Sequence, residues 1–195
     1  MKSSKFRKEL MDYVGLRFDI VIIVVLIFFV LINNFSVNHT FIQTNFVNEH
    51  HLEYRLDFLV ELEDEHPEYF EEVLLIELRE DTCKRGDHSF FQGNYVFGVI
   101  CILDWHLDEP FIFKSTVYHE LGHAVWYFGL TNAERKEYEL IYVENTKLGI
   151  LTSNYSEENV KEGFAEDFMV YHMKDLHWVN SQASNTINFL ENILT

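Results

Sequence analysis

Apolar residues are spread unevenly along this chain of 195 residues, and their longest unbroken run lies near the N-terminus. Residues 20–32 read IVIIVVLIFFVLI, thirteen apolar residues in succession. As a helix this run would span about 20 Å, which is less than the ~30 Å hydrocarbon core of a membrane. It therefore suits the core of a signal peptide or an uncleaved anchor that thins the bilayer, and no clear cleavage site follows it. The alternative is a buried strand or a core helix.

Polar segments lie on both sides of this run. Residues 1–19 contain five Lys or Arg and three Asp or Glu, and segments with an excess of Lys and Arg tend to stay in the cytoplasm. We predict a basic leader over 1–19, a transmembrane anchor or signal segment over 20–32, a polar linker over 33–50, and one folded domain over 51–195. This domain is expected outside the cell, held at the membrane by the apolar run or secreted after cleavage.

The pattern within 51–195 predicts an α+β domain. Apolar residues recur at helical spacing over 52–73 with a break at Pro67, so we expect two short helices there. Residues 73–80 and 95–103 have the apolar composition of strands and predict a small sheet, with a loop between them. Capping residues place the later helices. The predicted caps are Ser115 or Thr116 for a helix ending at Gly129, Thr131 with Glu134 for a helix reaching about Lys147, and Ser156 for the next helix. Residues 185–194 are expected to form a short last helix.

Composition narrows the classes of function. The formal net charge is −17, and since 1–19 carry +2, the rest of the chain carries −19. No basic stripe is present to neutralise phosphates, so we do not expect nucleic acid as a partner. The two cysteines, Cys83 and Cys101, do not form a C-x-x-C motif, which excludes thiolate zinc sites and redox motifs of that kind. They either pair with each other or remain two separate thiols.

The stretch VYHELGHAVW carries the clearest candidate chemistry. In its His-Glu-x-x-His pattern, His119 and His123 are four residues apart and share one face of a helix, where both can hold one metal ion. Glu120 between them is placed to act on a bound water. A random chain of this composition would contain the pattern in roughly 5% of cases. The five residues alone therefore do not decide between a zinc protease and an ordinary helix.

A catalytic zinc ion needs three protein ligands and one open position. Glu162 and Glu166 in EGFAEDF are four residues apart, so they share one helix face. Gly163 and Ala165 would allow this helix to approach the motif helix closely, as would Gly122 in the motif itself. The two glutamates form either a solvated acidic face or an inward pair. An inward glutamate on a helix so rich in Phe needs a partner such as a metal ion.

Together these segments resemble a known family. HELGHAV followed by EGFAEDF, with Tyr155 seven residues before Glu162 and the closing NTINFLENIL, is similar to the zinc metallopeptidase domain of anthrax lethal factor. The small secreted Pro-Pro endopeptidases of Gram-positive bacteria share that domain. The resemblance is strongest from Thr116 to the C-terminus, is looser back to about His51, and excludes the first 50 residues.

The resemblance implies a small zincin-type domain of the gluzincin group and a zinc endopeptidase that acts on peptides or on extracellular and cell-surface proteins. It makes His119, His123 and Glu162 the ligands of Zn²⁺. Glu120 becomes the general base that takes a proton from water and hands it to the leaving amine. Tyr155 becomes the donor that stabilises the oxyanion.

Two further expectations concern the surroundings of this set. Glu166, one helical turn beyond Glu162, is expected to accept the free imidazole N–H of a zinc-bound histidine. An extended peptide is expected to add to the strand over 95–103 by main-chain hydrogen bonds. The loop over 84–94 is shorter than the corresponding Trp- and Gly-containing loop of Pro-Pro endopeptidases and is built differently. A preference for proline therefore does not follow from the resemblance.

Two rival interpretations stay open. The first is a catalytically degenerate relative, anchored at the membrane, that binds a partner protein without cleaving it; such a module has no need of Glu120 or Tyr155. The second is a structural membrane protein whose motif is coincidental, and the zinc content of the purified protein distinguishes it. An intramembrane protease is not expected, because one apolar segment cannot enclose a site.

Overall fold

The part of the chain that the computed structural model describes comprises residues 40–44, 52–79, 93–96, 98–103, 109–173 and 182–194. The predicted leader 1–19 and the apolar run 20–32 lie outside these residues, as do most of the loop 84–94 and Cys83. Cys101 lies within them and is disulfide-bonded. Among the helices in the described ranges, none has the length and apolar character that crossing a membrane requires.

A mixed sheet of four strands forms one side of the described fold. Its strands are β1 (Phe41–Thr44), β2 (Leu75–Arg79), β3 (Gly93–Val96) and β4 (Val99–Leu103), in the order β1-β2-β4-β3. β1 and β4 each run parallel to β2, while β3 runs antiparallel to β4. Fully buried residues of the sheet, such as Ile76, Leu78 and Ile100 at 0–1% exposure, lie on the central strands β2 and β4. The strand order makes β3 an edge strand, whereas β4 has neighbours on both sides.

Two features of the sheet differ from the sequence prediction. The single strand expected over 95–103 is a hairpin, because the chain reverses between Val96 and Val99, where Gly98 has a φ of 81° that favours glycine. The segment 33–50, expected to be a linker, contains β1. The compact unit of the domain therefore begins at Thr40.

Six α-helices complete a mixed α+β fold that is mostly helical across the described residues. They are α1 (Leu52–Glu65), α2 (Pro67–Phe70), α3 (Pro110–Ala124), α4 (Asn132–Leu148), α5 (Val160–His172) and α6 (Ser184–Ile193). The predicted break at Pro67 is confirmed, since proline opens α2. A π-helical turn, Val125–Gly129, extends α3, so the motif helix ends at Gly129 as predicted.

Of the three helix N-caps predicted from the sequence, one is present in the structure. Thr131 and Glu134 form the reciprocal capping box expected at the start of α4. The cap expected at Ser115 or Thr116 is wrong, because α3 already begins at Pro110, and both hydroxyls donate to the carbonyl of Ile112 inside the helix.

The cap expected at Ser156 is also wrong. Ser156 lies in a short 3₁₀ turn (Tyr155–Glu157), and Asn159 caps α5 by accepting from the backbone N–H groups of Lys161 and Glu162. This delays the helix by one turn and leaves Tyr155 in the connection between α4 and α5.

Helices α3 and α5 pack against each other with their backbones nearly in contact. A methyl group added at Gly122 would lie 2.8 Å from Ala165 Cα, closer than any real contact permits. Phe164 and Phe168 on α5 and Leu121 on α3 are fully buried beside this crossing. The close approach expected from small residues is therefore present, and it brings the motif helix beside EGFAEDF.

Candidate metal centre

Three side chains from α3 and α5 converge where the two helices cross. His119 and His123 lie one turn apart on α3, and both direct Nε2 at the same carboxylate oxygen of Glu162 on α5. Each of the two Nε2 atoms is 3.2 Å from Glu162 Oε2. One donor atom from each residue lies within 4.8 Å of the others. The structure thus brings together the three residues expected to be metal ligands.

The packing described above explains this convergence. Positions four apart on α3 present both imidazoles on one side, and the Gly122–Ala165 contact sets α5 close enough for a glutamate to reach them. Asn159 caps α5 three residues before Glu162, which places that carboxylate in the first turn, where the helix dipole favours negative charge.

Glu166 holds the other side of the His119 ring. Its Oε1 lies 3.0 Å from His119 Nδ1, and its Oε2 accepts a hydrogen bond from Ser153 Oγ at 2.5 Å. When the imidazole is neutral, a carboxylate at Nδ1 favours the proton on that nitrogen, which leaves Nε2 free to act as a ligand. The contact expected between Glu166 and a motif histidine is therefore present.

Glu120 on α3 lies against β3, one of the two edge strands of the sheet. Its side chain is buried, with 4% of the residue exposed, and it accepts a hydrogen bond from the backbone N–H of Tyr95. Oε2 has no hydrogen-bond partner among the described residues. Burial raises the pKa of Glu120, while the neighbouring His119 and His123 oppose the rise. A buried carboxylate with one free oxygen is what a base aimed at a small polar ligand requires.

Tyr155 lies half-buried in the 3₁₀ turn beside the motif. Its ring centroid is 5.6 Å from that of His119, so the phenol stands next to the converging donors. Burial raises the pKa of Tyr155, and the charge of Glu162 adds to the rise. The hydroxyl therefore keeps its proton at neutral pH and can donate a hydrogen bond.

One cleft, with a volume of about 530 Å³, is lined by His119, Glu120, His123, Tyr155 and Glu162. Gly93 and Tyr95 of β3 form one wall, and the start of α5 forms the other. At the rim, Lys161 Nζ lies 2.9 Å from Tyr127 Oη. The cleft is open to solvent and large enough for part of a peptide.

The carboxylates around His119 favour a positive charge at this position. Burial by itself would lower the pKa of His119, but the hydrogen bonds to Glu162 and Glu166 outweigh it and raise the pKa to about 10. Burial likewise opposes ionisation of Glu162, yet the two histidines hold the pKa of that carboxyl well below its usual range. A site that stabilises positive charge among three carboxylates suits a metal ion.

The donor set fits Zn²⁺ in both chemistry and spacing. Two imidazole nitrogens and one carboxylate oxygen form one of the ligand sets used by catalytic zinc. Tetrahedral bonds of 2.0–2.1 Å place neighbouring ligand atoms about 3.3 Å apart, and the two measured N···O distances are 3.2 Å. Glu120 Oε2, which has no hydrogen-bond partner among the described residues, is an independent sign that a polar group belongs in the cleft it shares with these ligands.

Several residues of the site had no clear signal in the sequence. Gly93 and Tyr95 reach the cleft only because the hairpin turns β3 to the sheet edge. Ser153 and Asp167 were also missed. Asp167 had one usable signal: it follows Glu166 directly, and two successive acids on a helix packed with Phe require two sets of partners.

Comparison of the chain with protein-family models, with curated proteins and with solved structures finds no match.

Proposed function

We propose that this chain is a zinc-dependent endopeptidase of the gluzincin type, related to the lethal factor-like and Pro-Pro endopeptidase group. The single observation that carries the proposal is the convergence of His119, His123 and Glu162 in the same cleft as a buried oxygen of Glu120 that has no partner in the described part of the chain. When bound, Zn²⁺ supplies a Lewis acid that polarises the scissile carbonyl and acidifies a water.

The chain's own residues perform the proton transfers. Glu120 takes a proton from the attacking water and delivers it to the leaving amine, and its raised pKa brings it nearer to the range where both transfers are effective. Tyr155 donates a hydrogen bond to the carbonyl oxygen as negative charge develops there. Glu166 keeps His119 in the tautomer that offers Nε2.

The edge strand is the natural place for the substrate backbone. An extended peptide can add to β3 by main-chain hydrogen bonds, and Gly93 and Tyr95 of that strand line the cleft. This corrects the expectation that the whole segment 95–103 is available, because β4 is already paired on both sides.

The non-catalytic alternative, a binding module of the same shape, gains no particular support. A module that only binds a partner would not require a buried glutamate oxygen that lacks a partner within the described ranges, because burying such a group without a hydrogen bond costs free energy. A structural protein with a coincidental motif would not require three converging donors.

Metal analysis combined with cleavage of a peptide library by the full-length chain tests the proposal. We expect one zinc ion per chain, lost in His119→Ala and Glu162→Ala. Glu120→Gln should retain zinc and lose about 100-fold or more in turnover, since Glu120 moves protons and does not bind the metal. Glu139→Gln, on the exposed face of α4, is the matched control and should behave as wild type.

The outcomes separate the candidates. Zinc retention with peptide binding but no cleavage would favour the binding module. Absence of zinc from the wild-type chain under zinc-replete conditions would refute the proposal. Full zinc occupancy in Glu162→Ala would identify a different third ligand, with Glu166 the first to test.

A further inference from the structure

The loop that carries Tyr155 is fastened to α5 by two adjacent carboxylates. Glu166 accepts from Ser153 Oγ at 2.5 Å, as described above. The next residue, Asp167, accepts from the hydroxyl of Thr152, the loop residue that precedes Ser153. Two successive loop residues are thus held by two successive helix residues.

Asp167 also ties this arrangement to α4. Tyr138 Oη donates to Asp167 Oδ2 at 2.6 Å, while Thr152 donates to Oδ1, so each carboxylate oxygen has its own donor. Gln182 Nε2 donates to the backbone carbonyl of Asp167 at 2.5 Å. All three side chains of the Tyr138–Asp167–Thr152 group are buried, with Tyr138 1% and Thr152 3% exposed. We call this group the loop clamp.

The remaining loop contacts transmit that anchoring to Tyr155. Ser153 and Ser156 exchange hydrogen bonds, each backbone N–H donating to the other's Oγ at 3.2 Å. Tyr142 Oη donates to the carbonyl of Ser156 at 2.9 Å. Tyr155 lies between these fixed points, and its ring therefore has a defined place next to His119.

We propose that Asp167 is a positioning residue, whose buried carboxylate holds Thr152 and Tyr138 so that the Tyr155 hydroxyl stands over the metal centre. The part of this inference that concerns turnover rests on the proposed function. The clamp makes its contacts with the loop and with α4, so its loss should disturb Tyr155 and spare the metal ligands.

A pair of substitutions at Thr152 in the full-length chain provides the test. Thr152→Val removes the hydroxyl at almost constant volume, and Thr152→Ser restores it. Thr186→Val is the matched control: Thr186 is equally buried at 1% exposure and accepts a hydrogen bond from Asn145 Nδ2, but it lies on α6, away from the loop.

Hydrogen exchange supplies a readout that does not depend on activity. We expect the backbone amides of 151–158 to exchange at least about tenfold faster in Thr152→Val than in wild type. Thr152→Ser and Thr186→Val should leave this segment unchanged. Zinc content should remain one per chain in all variants.

Kinetics supply the second readout. A misplacement of about 1 Å can cost on the order of 100-fold, so kcat in Thr152→Val should fall by about 10- to 100-fold with KM nearly unchanged. In a Tyr155→Phe background the same change should cost less than about twofold, because no phenol hydroxyl is left to misplace.

Each outcome bears on the inference. Unchanged exchange over 151–158 overturns the clamp. Faster exchange with wild-type kcat, or an equal loss of kcat in the Tyr155→Phe background, overturns the positioning role. If the wild-type chain cleaves no peptide, the proposed function fails, and the exchange data decide by themselves whether the clamp holds the loop.

Discussion

Replacing Gly93 by alanine should greatly reduce turnover, although Gly93 is not itself one of the reacting groups. Gly93 opens β3 directly opposite α3. A Cβ atom there would lie 2.5 Å from Glu120 Oε1 and 2.9 Å from Glu120 Cγ, with Thr116 Cγ2 at 2.8 Å. Ordinary contacts of carbon atoms are about 3.5–4.0 Å. The added methyl therefore requires the Glu120 carboxylate to withdraw by about 1 Å.

The magnitude follows from that displacement. A displacement of about 1 Å can cost on the order of 100-fold in rate, which corresponds to about 2.7 kcal/mol of activation free energy. The effect on stability should be smaller. Overpacking costs about 1–3 kcal/mol, and the lower entropy of the unfolded chain with alanine offsets about 0.4–1 kcal/mol of it. Zinc content should be unchanged, because the atoms nearest the new methyl belong to Glu120 and Thr116.

The assay compares kcat/KM, zinc content and urea unfolding of Gly93→Ala with wild type. Gly129→Ala is the control for a generic glycine-to-alanine effect, since its nearest neighbour is a valine methyl at 3.2 Å. Turnover within about threefold of wild type would refute the reasoning. Loss of zinc would equally contradict it, because the damage would then not pass through Glu120.

Two further predictions concern single side chains. Tyr155→Phe should keep fold and zinc but lose about 100- to 1,000-fold in turnover with little change in substrate binding; steady-state kinetics with a good substrate decide, and a wild-type rate would leave the phenol a structural role. For Asp167, burial raises the pKa from 3.8 to about 6, so the folded state binds the proton more tightly than the unfolded state. The unfolding free energy of the metal-free wild type, relative to Asp167→Asn, should therefore fall by about 3 kcal/mol as the pH rises from about 4 to 6, and stay constant above that. Denaturant titrations across this range measure it, and a difference independent of pH would contradict the prediction.

The helices and the central chemistry were predictable because their signals are local. The four-residue spacing of His119 and His123 is enough to predict that they share one helix face. Glu134, three residues after Thr131, completes a capping-box pattern. The inward orientation of Glu162 could be suspected, because Phe164 and Phe168 mark α5 as buried.

The sheet was less predictable because its strands depend on partners distant in sequence. β1 has only four residues, too few for a period-two pattern to stand out, and it exists through parallel pairing with β2. The apolar residues over 95–103 have the pattern of one buried strand, and Gly98 within them is the only sign of a reversal.

The errors at Ser115 and Ser156 have a common physical origin. A serine or threonine hydroxyl can accept from a free N–H at a helix start, but it can also donate to a carbonyl within a helix or close a turn. Ser115 donates to the carbonyl of Ile112, and Ser156 exchanges hydrogen bonds with Ser153. The residue type alone does not distinguish these uses.

The contact between Gly122 and Ala165 has a consequence for how this domain can vary. Where two helices touch through large side chains, a change of one side chain alters their separation, and any site that spans them drifts. Here the separation of α3 and α5 is set by backbone atoms. Core residues elsewhere along the crossing can then be exchanged without changing the spacing between the motif and Glu162. The sensitivity of the site to mutation is concentrated in two positions, one restricted to glycine and the other to the smallest residues, while their neighbours are comparatively free to diverge.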